Sequence, residues 1–455
     1  MPAPDRRRLL EAVSAAGLVG LAGCTSPRAD SHTYDRDQGD LAHDPLPYTE
    51  TYPDDDAITM YRGGLRRLGY YPDETVPDSV SKNWAIPANY IGHTAAKSTP
   101  LPTPDGETVI IPADSGRVHA RDPKGRHLWT TQTEATYQGF HGTPAVVDGV
   151  AYVGGYDGAL YAFDVASGEV LWRTDSFDDP VAIGSSPAYW EGVLYVAVEY
   201  RRPKEGALWA VDAETGATLW SDDRIWGMPH PSIAIDPDAE RLVTASNDGV
   251  CYAWEFPSLE FAWEFQAGGP DGPDGDPQEG GAFTWGAQLK GTTALYDGAA
   301  FFGSWDGRFY RVSLSDGSEE WSIDTGQRVM CDPAVDPERD VVYMGGHDDS
   351  VRALDAGTGE EVWRADVGGD VIGALATTGD TVLVGSYDTG AYALDAETGD
   401  QRWRVGNRGT VTSEVVPRDG RIYYAERAVV SNYDGEDADV IVDVPGHAYC
   451  LVGDS

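Results

Sequence analysis

The stretch from Asp148 to Trp172, DGVAYVGGYDGALYAFDVASGEVLW, decides the fold of this 455-residue chain. It contains three runs of strand-forming residues, Val150–Gly154, Ala159–Val165 and Glu169–Arg173. Two tight-turn signals, Asp157-Gly158 and Ala166-Ser167-Gly168, separate these runs. Residues of alternating character within the runs indicate strands with two different faces. The stretch therefore predicts a small antiparallel sheet whose strands are joined by hairpin turns.

The same pattern recurs along the chain at a fixed spacing. An acidic residue is followed by a second Asp, then a Gly, and finally a Trp that closes the copy. Seven copies end at Trp129, Trp172, Trp220, Trp263, Trp321, Trp363 and Trp403. Two of them are degenerate, with Leu259 in place of the Gly and Ser313 in place of the second Asp. A repeat of about 46 residues is typical of a four-stranded propeller blade.

An eighth copy is divided between the two ends of the sequence. Gly446 to Leu451 matches the middle of the repeat, and Trp84 stands where the closing tryptophan of a preceding copy belongs. A ring explains this arrangement, because an N-terminal strand completes the last blade and closes the circle. We therefore predict an all-β protein: an eight-bladed β-propeller of four-stranded antiparallel blades over residues 57–455, closed by the Trp84 strand.

The repeat DGxxYAxDxxTGxxxW resembles that of the PQQ-like (pyrroloquinoline-quinone-like) β-propellers over most of the chain. This family includes quinoprotein dehydrogenases and the bacterial outer-membrane assembly lipoprotein BamB. The segment Ile58 to Pro72, ITMYRGGLRRLGYYP, also resembles the lead-in that precedes the first Trp strand of such proteins. The resemblance implies the propeller fold, and this fold carries enzymes and scaffolds alike.

The chain carries 75 acidic against 33 basic residues, a formal net charge of −42, and only five of the basic residues are lysines. Such a surface is typical of extreme halophiles, because self-repulsion between carboxylates is screened at molar salt. We therefore expect folding to require molar salt. The same charge excludes ordinary nucleic-acid binding, which needs a basic footprint. The four cysteines form no adjacent pair and no CxxC, and we expect Cys251, Cys331 and Cys450, on or beside predicted strands, to be buried structural thiols.

The first 24 residues indicate an export signal. Arginines at 6–8 precede an apolar run from Leu9 to Leu21, which is too short to span a bilayer comfortably. Paired arginines are typical of the twin-arginine route, and Leu21-Ala-Gly-Cys24 resembles a lipobox in which Cys24 is lipidated. A membrane anchor or secretion signal with an incidental cysteine is the alternative. Residues 25–56 are polar and acidic, and we expect a flexible tether that holds the protein at the outer face of the cell membrane.

The segments that lead from each Trp strand into the next blade cross to the axis of a propeller. Their last residues include candidates for an axial ligand site: His93, His141, Trp226, His230, Trp285, Lys290, Arg328 and Asp332. The tryptophans would stack on a ligand, the Lys and Arg would meet an anionic group, and the histidines would exchange hydrogen bonds near neutral pH. The alternative is a solvent channel lined by polar loop residues.

An acidic insertion at 267–283 lengthens one repeat. Its Asp271, Asp274, Asp276 and Glu279 are candidate calcium ligands, because calcium prefers several carboxylate oxygens. Their spacing differs from that of an EF-hand, and acidic loops are expected over this whole surface. A second insertion, Arg427 to Val444, predicts another rim loop.

Hydrolase, metalloprotease and phosphate-binding motifs are missing from the sequence. The adjacent cysteines and the Glu, Asn and Asp calcium triad that the resemblance to quinoprotein dehydrogenases would imply are missing as well. We interpret the chain as a monomeric, membrane-tethered, non-enzymatic scaffold without a cofactor. It would bind a protein or ligand on a propeller face and is similar in form to BamB. A quinone (PQQ)- or calcium-dependent oxidoreductase with an axial active site is the alternative.

Overall fold

The computed structural model describes residues 46, 48, 51–53, 57–91, 98–136, 138–174, 182–200, 205–268, 287–431 and 441–454. Within these ranges the chain forms eight blades of four antiparallel strands, one of which is extended by a fifth strand, and this confirms the predicted propeller. Each sheet is a blade, numbered here in the order of its tryptophan. Two short elements come before blade 1 in the chain: strand β1 at Ile58–Thr59 and a 3-10 turn at Tyr61–Gly63. No helix in the described part of the chain is long and apolar enough to cross a membrane.

The strands of the first four blades follow the chain from the axis outwards. Strand β2 (Val80–Asn89) comes before them. Blade 1 comprises β3 (Leu101–Pro102), β4 (Val109–Pro112), β5 (Arg117–Arg121) and β6 (His127–Gln132). Blade 2 comprises β7 (Ala145–Val147), β8 (Val150–Gly154), β9 (Leu160–Asp164) and β10 (Val170–Arg173). Blade 3 comprises β11 (Ala188–Trp190), β12 (Val193–Tyr200), β13 (Glu205–Asp212) and β14 (Thr218–Ile225). Blade 4 comprises β15 (Ala234–Asp236), β16 (Arg241–Ala245), β17 (Val250–Glu255) and β18 (Phe261–Gln266).

The last four blades repeat this order, except for the final one. Blade 5 comprises β19 (Ala294–Tyr296), β20 (Ala299–Gly303), β21 (Arg308–Ser313) and β22 (Glu319–Asp324). Blade 6 comprises β23 (Ala334–Asp336), β24 (Val341–Gly345), β25 (Ser350–Asp355) and β26 (Glu361–Asp366). Blade 7 comprises β27 (Ala376–Thr377), β28 (Thr381–Gly385), β29 (Gly390–Asp395) and β30 (Gln401–Gly406). Blade 8 comprises β31 (Val416–Arg418), β32 (Arg421–Ala425), β35 (Gly446–Gly453) and β2, and the predicted rim insertion contributes a separate pair, β33 (Val429–Ser431) and β34 (Ile441–Val444).

The N-terminal strand closes the ring as predicted. β2 pairs antiparallel with β35, with Trp84 opposite Cys450. The sequence did not indicate a second tie: β1 adds to the axial edge of blade 2, with Ile58 opposite Val147. Residues 58–89 therefore join two different blades, and both joins rest on backbone pairing.

Six closing tryptophans donate an indole hydrogen bond to a carbonyl oxygen of the next blade: Trp84, Trp129, Trp172, Trp263, Trp321 and Trp363. The indole nitrogen of Trp363 donates to the carbonyl oxygen of Ala396 in blade 7 at 3.0 Å, and its ring packs on Gly399. A Cβ at Gly399 would lie 2.6 Å from the indole, and its φ of +75° also favours glycine. The repeat's aspartate caps the same turn, as Asp164 does by accepting from the Ser167 backbone and hydroxyl. The repeat motif is thus explained by architecture alone.

Part of the predicted tether lies against the ring. Leu46 is buried, the Tyr48 hydroxyl lies 2.8 Å from that of Tyr195, and the Tyr52 ring stands 5.0 Å from Trp190. The expectation of a free linker up to residue 56 is wrong for these three residues, because their apolar surface has a partner in blade 3. The rest of the export signal and linker, including Cys24, lies largely outside the described residues. The other three cysteines, Cys251, Cys331 and Cys450, are buried as expected.

Candidate functional site

Loops from successive blades are linked around the axis by a chain of hydrogen bonds. In each link a backbone N–H of one loop donates to a side-chain oxygen of the next, at 2.7–3.1 Å. The links run from Glu414 to Thr99, Thr143, Ser186, Ser232, Thr292 and Asp332. Backbone bonds between Asp332 and residues 373–375 continue the circle into blade 7. This hydroxyl ring fixes the loops that carry the candidates His141, His230 and Lys290.

The segment Met60 to Tyr71, called here the axial plug, occupies one end of the axis. Backbone N–H groups of the innermost strands β15, β19, β23 and β27 donate to plug carbonyl oxygens at 2.7–2.9 Å. The acceptors are Leu65, Arg66, Leu68 and Gly69. The sequence identified this segment as a lead-in to the first Trp strand. In the structure it lies at the axis, hydrogen-bonded to the innermost strands of blades 4 to 7.

Two fully buried arginines hold the plug. The Arg62 guanidinium donates to the carbonyl oxygens of Arg67, Leu375 and Pro333. The Arg67 guanidinium donates to those of Tyr61, Ile233 and Pro187 at 2.8–3.0 Å. Burial lowers the pKa of Arg67 to about 10, so the side chain is still a cation at neutral pH. Backbone carbonyls thus solvate both charges.

Two buried carboxylates balance these cations. Asp332 accepts from the Thr292 backbone and from the Tyr61 hydroxyl. Glu414 accepts from the Tyr71 hydroxyl at 2.8 Å and from the Arg62 backbone at 3.3 Å. Burial raises the pKa of Glu414 and of both tyrosines. Asp332 was predicted to line an open axial mouth; it is instead a buried part of the plug contact, because Tyr61 reaches it from the N-terminal segment.

Three of the predicted residues occupy equivalent positions in their loops, next to the hydroxyl ring. His141, His230 and Lys290 each stand two residues before a ring member. The His141 ring centroid lies 3.7 Å from that of Tyr156, and His230 Nδ1 lies 2.9 Å from the Glu199 carboxylate. The structure thus brings these side chains to the end of the axis opposite the plug, called here the mouth, where each contacts the tip of a neighbouring hairpin.

The most basic part of the mouth is built around a residue that sequence reasoning missed. Lys290 Nζ lies 4.1 Å and Arg328 Cζ 4.6 Å from the ring centre of Trp305. Both distances are typical of cation–π contacts. Arg328 is exposed, and Lys290 and Trp305 are half-buried. The missed signal is positional, because Trp305 directly precedes the turn Asp306, where other blades have Tyr156, Asn247, His347 and Tyr387.

Other mouth residues form pairs of their own. His347 Nδ1 lies 2.7 Å from the Asp370 carboxylate, and the Arg427 guanidinium lies over the Tyr387 ring. The predicted Trp226 is half-buried, and its backbone N–H donates to Asp248 at 3.2 Å. The remaining candidates, His93, Trp285, Asp271, Asp274, Asp276 and Glu279, lie outside the described residues. Within the described ranges, no group of three or more His, Cys, Asp or Glu side chains is placed to hold a metal ion.

Eight blades around this axial ring define a PQQ-like β-propeller. A family model described as outer membrane protein assembly factor BamB matches residues 114–247 and 347–441, about half of the chain. The chain belongs to this family. A curated relative is the serine/threonine-protein kinase AfsK of Streptomyces coelicolor, 28% identical over 263 residues. The match covers 57% of this chain but only 28% of the kinase, so the chain spans less than a third of that relative's length.

Solved structures share the fold at low sequence identity. A europium-containing methanol dehydrogenase has a TM-score of 0.70 at 13% identity, covering 87% of this chain and 98% of its own. Quinohemoprotein alcohol dehydrogenase from Comamonas testosteroni has 0.67 at 15%, covering 87% and 80%. BamB from Moraxella catarrhalis has 0.56 at 16%, covering 82% and 99%. At such identities the likeness concerns the fold alone, and it includes enzymes as well as an assembly factor.

Proposed function

We propose that this chain is an exported propeller, tethered to the outer face of the cell membrane through Cys24, that acts as a non-enzymatic binding scaffold. The match to an assembly-factor family supports the proposal. The observation that carries it is the axial plug. This segment fills one end of the axis, and its contacts there hold the ring of blades together. A scaffold of this kind would offer its faces and rim to other molecules.

A quinone–calcium pair at the axis would need free oxygen ligands from the axial residues. Calcium prefers several free oxygen ligands. All four oxygens of Asp332 and Glu414 already accept hydrogen bonds from protein donors. The Asn89 amide donates to the Glu426 carbonyl at 2.9 Å and accepts from the Asp114 backbone. These groups therefore do not fit a quinone–calcium site.

One observation favours the second candidate, an axial site for an anionic planar ligand. Lys290 and Arg328 place two cations on one indole ring, and a planar carboxylate such as PQQ would find both charge and stacking surface there. Under this alternative the chain would be an oxidoreductase, as the solved dehydrogenases of the same fold are.

A titration separates the two functions. PQQ with calcium is titrated by calorimetry, at high salt, into wild type and into the Lys290→Ala, Arg328→Ala double variant. Dye reduction with alcohols and sugars is followed in parallel. The scaffold proposal expects no turnover. Saturable binding that weakens in the double variant, together with substrate-dependent dye reduction, would refute it.

The tether is tested separately. Mass spectrometry of the mature protein should find Cys24 at the N-terminus with a lipid on its sulfur. Cys24→Ser should release the protein into the medium or block its processing. An unmodified Cys24 in the mature chain would contradict the tether and leave the scaffold role to the titration above.

A further inference from the structure

The outer hairpin of blade 1 has a net positive charge, opposite in sign to that of the corresponding hairpins of blades 2 to 7. Residues 115–132 contain four cations, Arg117, Arg121, Lys124 and Arg126, and a single carboxylate, Asp122. Every corresponding hairpin of blades 2 to 7 has more carboxylates than cations; in blade 6, residues 350–366 contain four against two. A local excess of positive charge is therefore a distinct feature of this chain, whose net charge is −42.

These cations are mostly not neutralised within the protein. Arg126 pairs with Asp122. Arg117 donates to the Gln132 side chain at 3.0 Å, and in the described ranges neither Arg121 nor Lys124 has a carboxylate within ion-pair distance. Arg364, Arg402 and Arg404, on the outer strands of blades 6 and 7, all pair with carboxylates. The hairpin of blade 1 thus keeps charge available for another molecule.

His119 is buried within the same hairpin. Its ring lies 3.0 Å from the Thr130 hydroxyl, between the two strands of the hairpin. Burial, followed by the charges of Arg121 and Arg117, lowers its pKa to about 4. A second proton on this histidine is disfavoured mainly because burial penalises the charged imidazolium, and the nearby arginines add to that effect.

The same hairpin ends in a free strand edge. β6 is the outermost strand of blade 1, and no strand of the described chain pairs with its outer side. His127, Leu128, Thr130 and Gln132 are exposed on it, and the Leu128 side chain is 46% exposed. Leu171, in the same position on β10 of blade 2, is 50% exposed. A free edge with an apolar side chain is a template for an added strand.

We propose that the outer edge of β6 docks an extended acidic segment of a partner protein, which adds to blade 1 as a further strand. Arg117 and Lys124 stand at the two ends of the hairpin and meet carboxylates of the segment, and Leu128 contacts one of its apolar side chains. Backbone hydrogen bonds supply affinity, and charge supplies selectivity. This deepens the proposed scaffold role and rests on it in supposing a protein partner.

The width of the basic surface favours a single strand as occupant. A duplex nucleic acid or an anionic bilayer would also cover the neighbouring hairpin of blade 2, which has more carboxylates than cations. An added strand lies only about 4.8 Å from β6 and follows the hairpin along its length. The acidic surface elsewhere repels an acidic partner, so the hairpin also decides how the partner approaches.

The test uses an alternating Glu-Val heptapeptide as probe, with the full-length protein at the lowest salt that keeps its native circular dichroism spectrum. Calorimetry measures affinity, and hydrogen exchange locates binding. We expect amide protection on β6, and at least tenfold weaker binding for Arg117→Glu combined with Lys124→Glu. Leu128→Ser provides a second, uncharged variant in case the charge reversal impairs folding. The matched control is Val362→Ser, which alters an exposed residue at the same position of β26.

The proposal is overturned by unchanged affinity in the charge-reversal and Leu128→Ser variants, or by protection elsewhere than on β6. Binding of phosphatidylglycerol vesicles or a duplex oligonucleotide, without binding of the peptide, would also overturn it. None of these results depends on a quinone or on Cys24, so the scaffold role and this docking surface can fail separately.

Discussion

The two ends of the axis use the same kinds of side chain for opposite purposes. At the plug, Arg62 and Arg67 are fully buried, and their guanidinium groups donate to backbone carbonyls. At the mouth, Arg328 is exposed and shares the Trp305 ring with Lys290. The comparison teaches that solvent access decides what a cation does here. A buried one stabilises the closed ring, and an exposed one on an aromatic surface stays within reach of solvent.

The largest expected effect comes from removing both the plug and the closing strand. Deleting residues 1–89 leaves blade 8 with a free edge and opens the axis, and we expect loss of a cooperative unfolding transition in circular dichroism at fixed high salt. Deleting residues 1–56 is the control; among the described residues it removes the packing of Leu46, Tyr48 and Tyr52 against the ring. Its melting temperature should fall by a few degrees at most. Equal melting temperatures for the two truncations would show that neither element closes the ring.

Single substitutions in the plug should have the second-largest effect on stability. Arg62→Ala and Arg67→Ala each leave buried carbonyl acceptors without donors and unbalance the buried carboxylates. We expect a loss of about 3–5 kcal/mol in the free energy of unfolding. Arg328→Ala at the mouth is the matched control and should cost no more than about 1 kcal/mol, because it removes one exposed cation–π contact. Urea unfolding of the three variants measures the difference, and similar losses at both ends would show that the mouth stabilises the fold as much as the plug does.

A pH titration tests how the end of the closing strand is held. The buried Asp114 accepts the backbone N–H groups of Tyr90 and Ile91, which follow β2. Burial raises its pKa to about 7, while these two hydrogen bonds oppose the rise. The folded state therefore holds the proton more tightly than the unfolded state. Stability from this group is present below about pH 4 and is lost as pH rises towards 7 and above.

The variant Asp114→Asn removes this ionisation. Its stability relative to wild type should improve by about 2–4 kcal/mol between pH 4 and pH 8, because a pKa difference of one unit corresponds to about 1.4 kcal/mol. Urea unfolding of both proteins at pH 4.5, 6 and 8 gives the comparison. A difference that is constant with pH would mean that Asp114 stays ionised throughout.

The smallest expected effect concerns the mouth. Cation–π contacts at exposed sites contribute about 0.5–1 kcal/mol each. The double variant Lys290→Ala, Arg328→Ala should therefore lose no more than about 2 kcal/mol of stability, while the fluorescence of Trp305 changes as its two cations leave. A loss as large as that of the plug variants would make this end structural too.

The repeat predicted most of the fold because its residues act locally. The predicted runs in the opening stretch correspond to β8, β9 and β10 within one residue at each end. The spacing of the tryptophans predicted eight blades and the pairing of β2 with β35. Periodic strands, turn glycines and capping aspartates depend on neighbours a few residues away, and sequence spacing reports such neighbours well.

The candidate site was predicted only in outline. The position of His141, His230 and Lys290 beside the axis followed from the loops that carry them. The contribution of Trp305 did not, because its importance comes from two cations on other loops. The plug was also missed as an axial element, since nothing in the run ITMYRGGLRRLGYYP shows which strands it will meet.

The sequence by itself determined the number of blades, the circular closure and the acidic surface, because each is written in spacing or composition. Only the tertiary structure decided which polar side chains are buried in hydrogen bonds with distant residues and which stay exposed to solvent. Tyr61 and Asp332 are 271 residues apart, and Arg62 and Glu414 are 352 apart. Contacts at such separations form only when the ring is closed. The partners of a buried charge are therefore residues that are distant in the sequence.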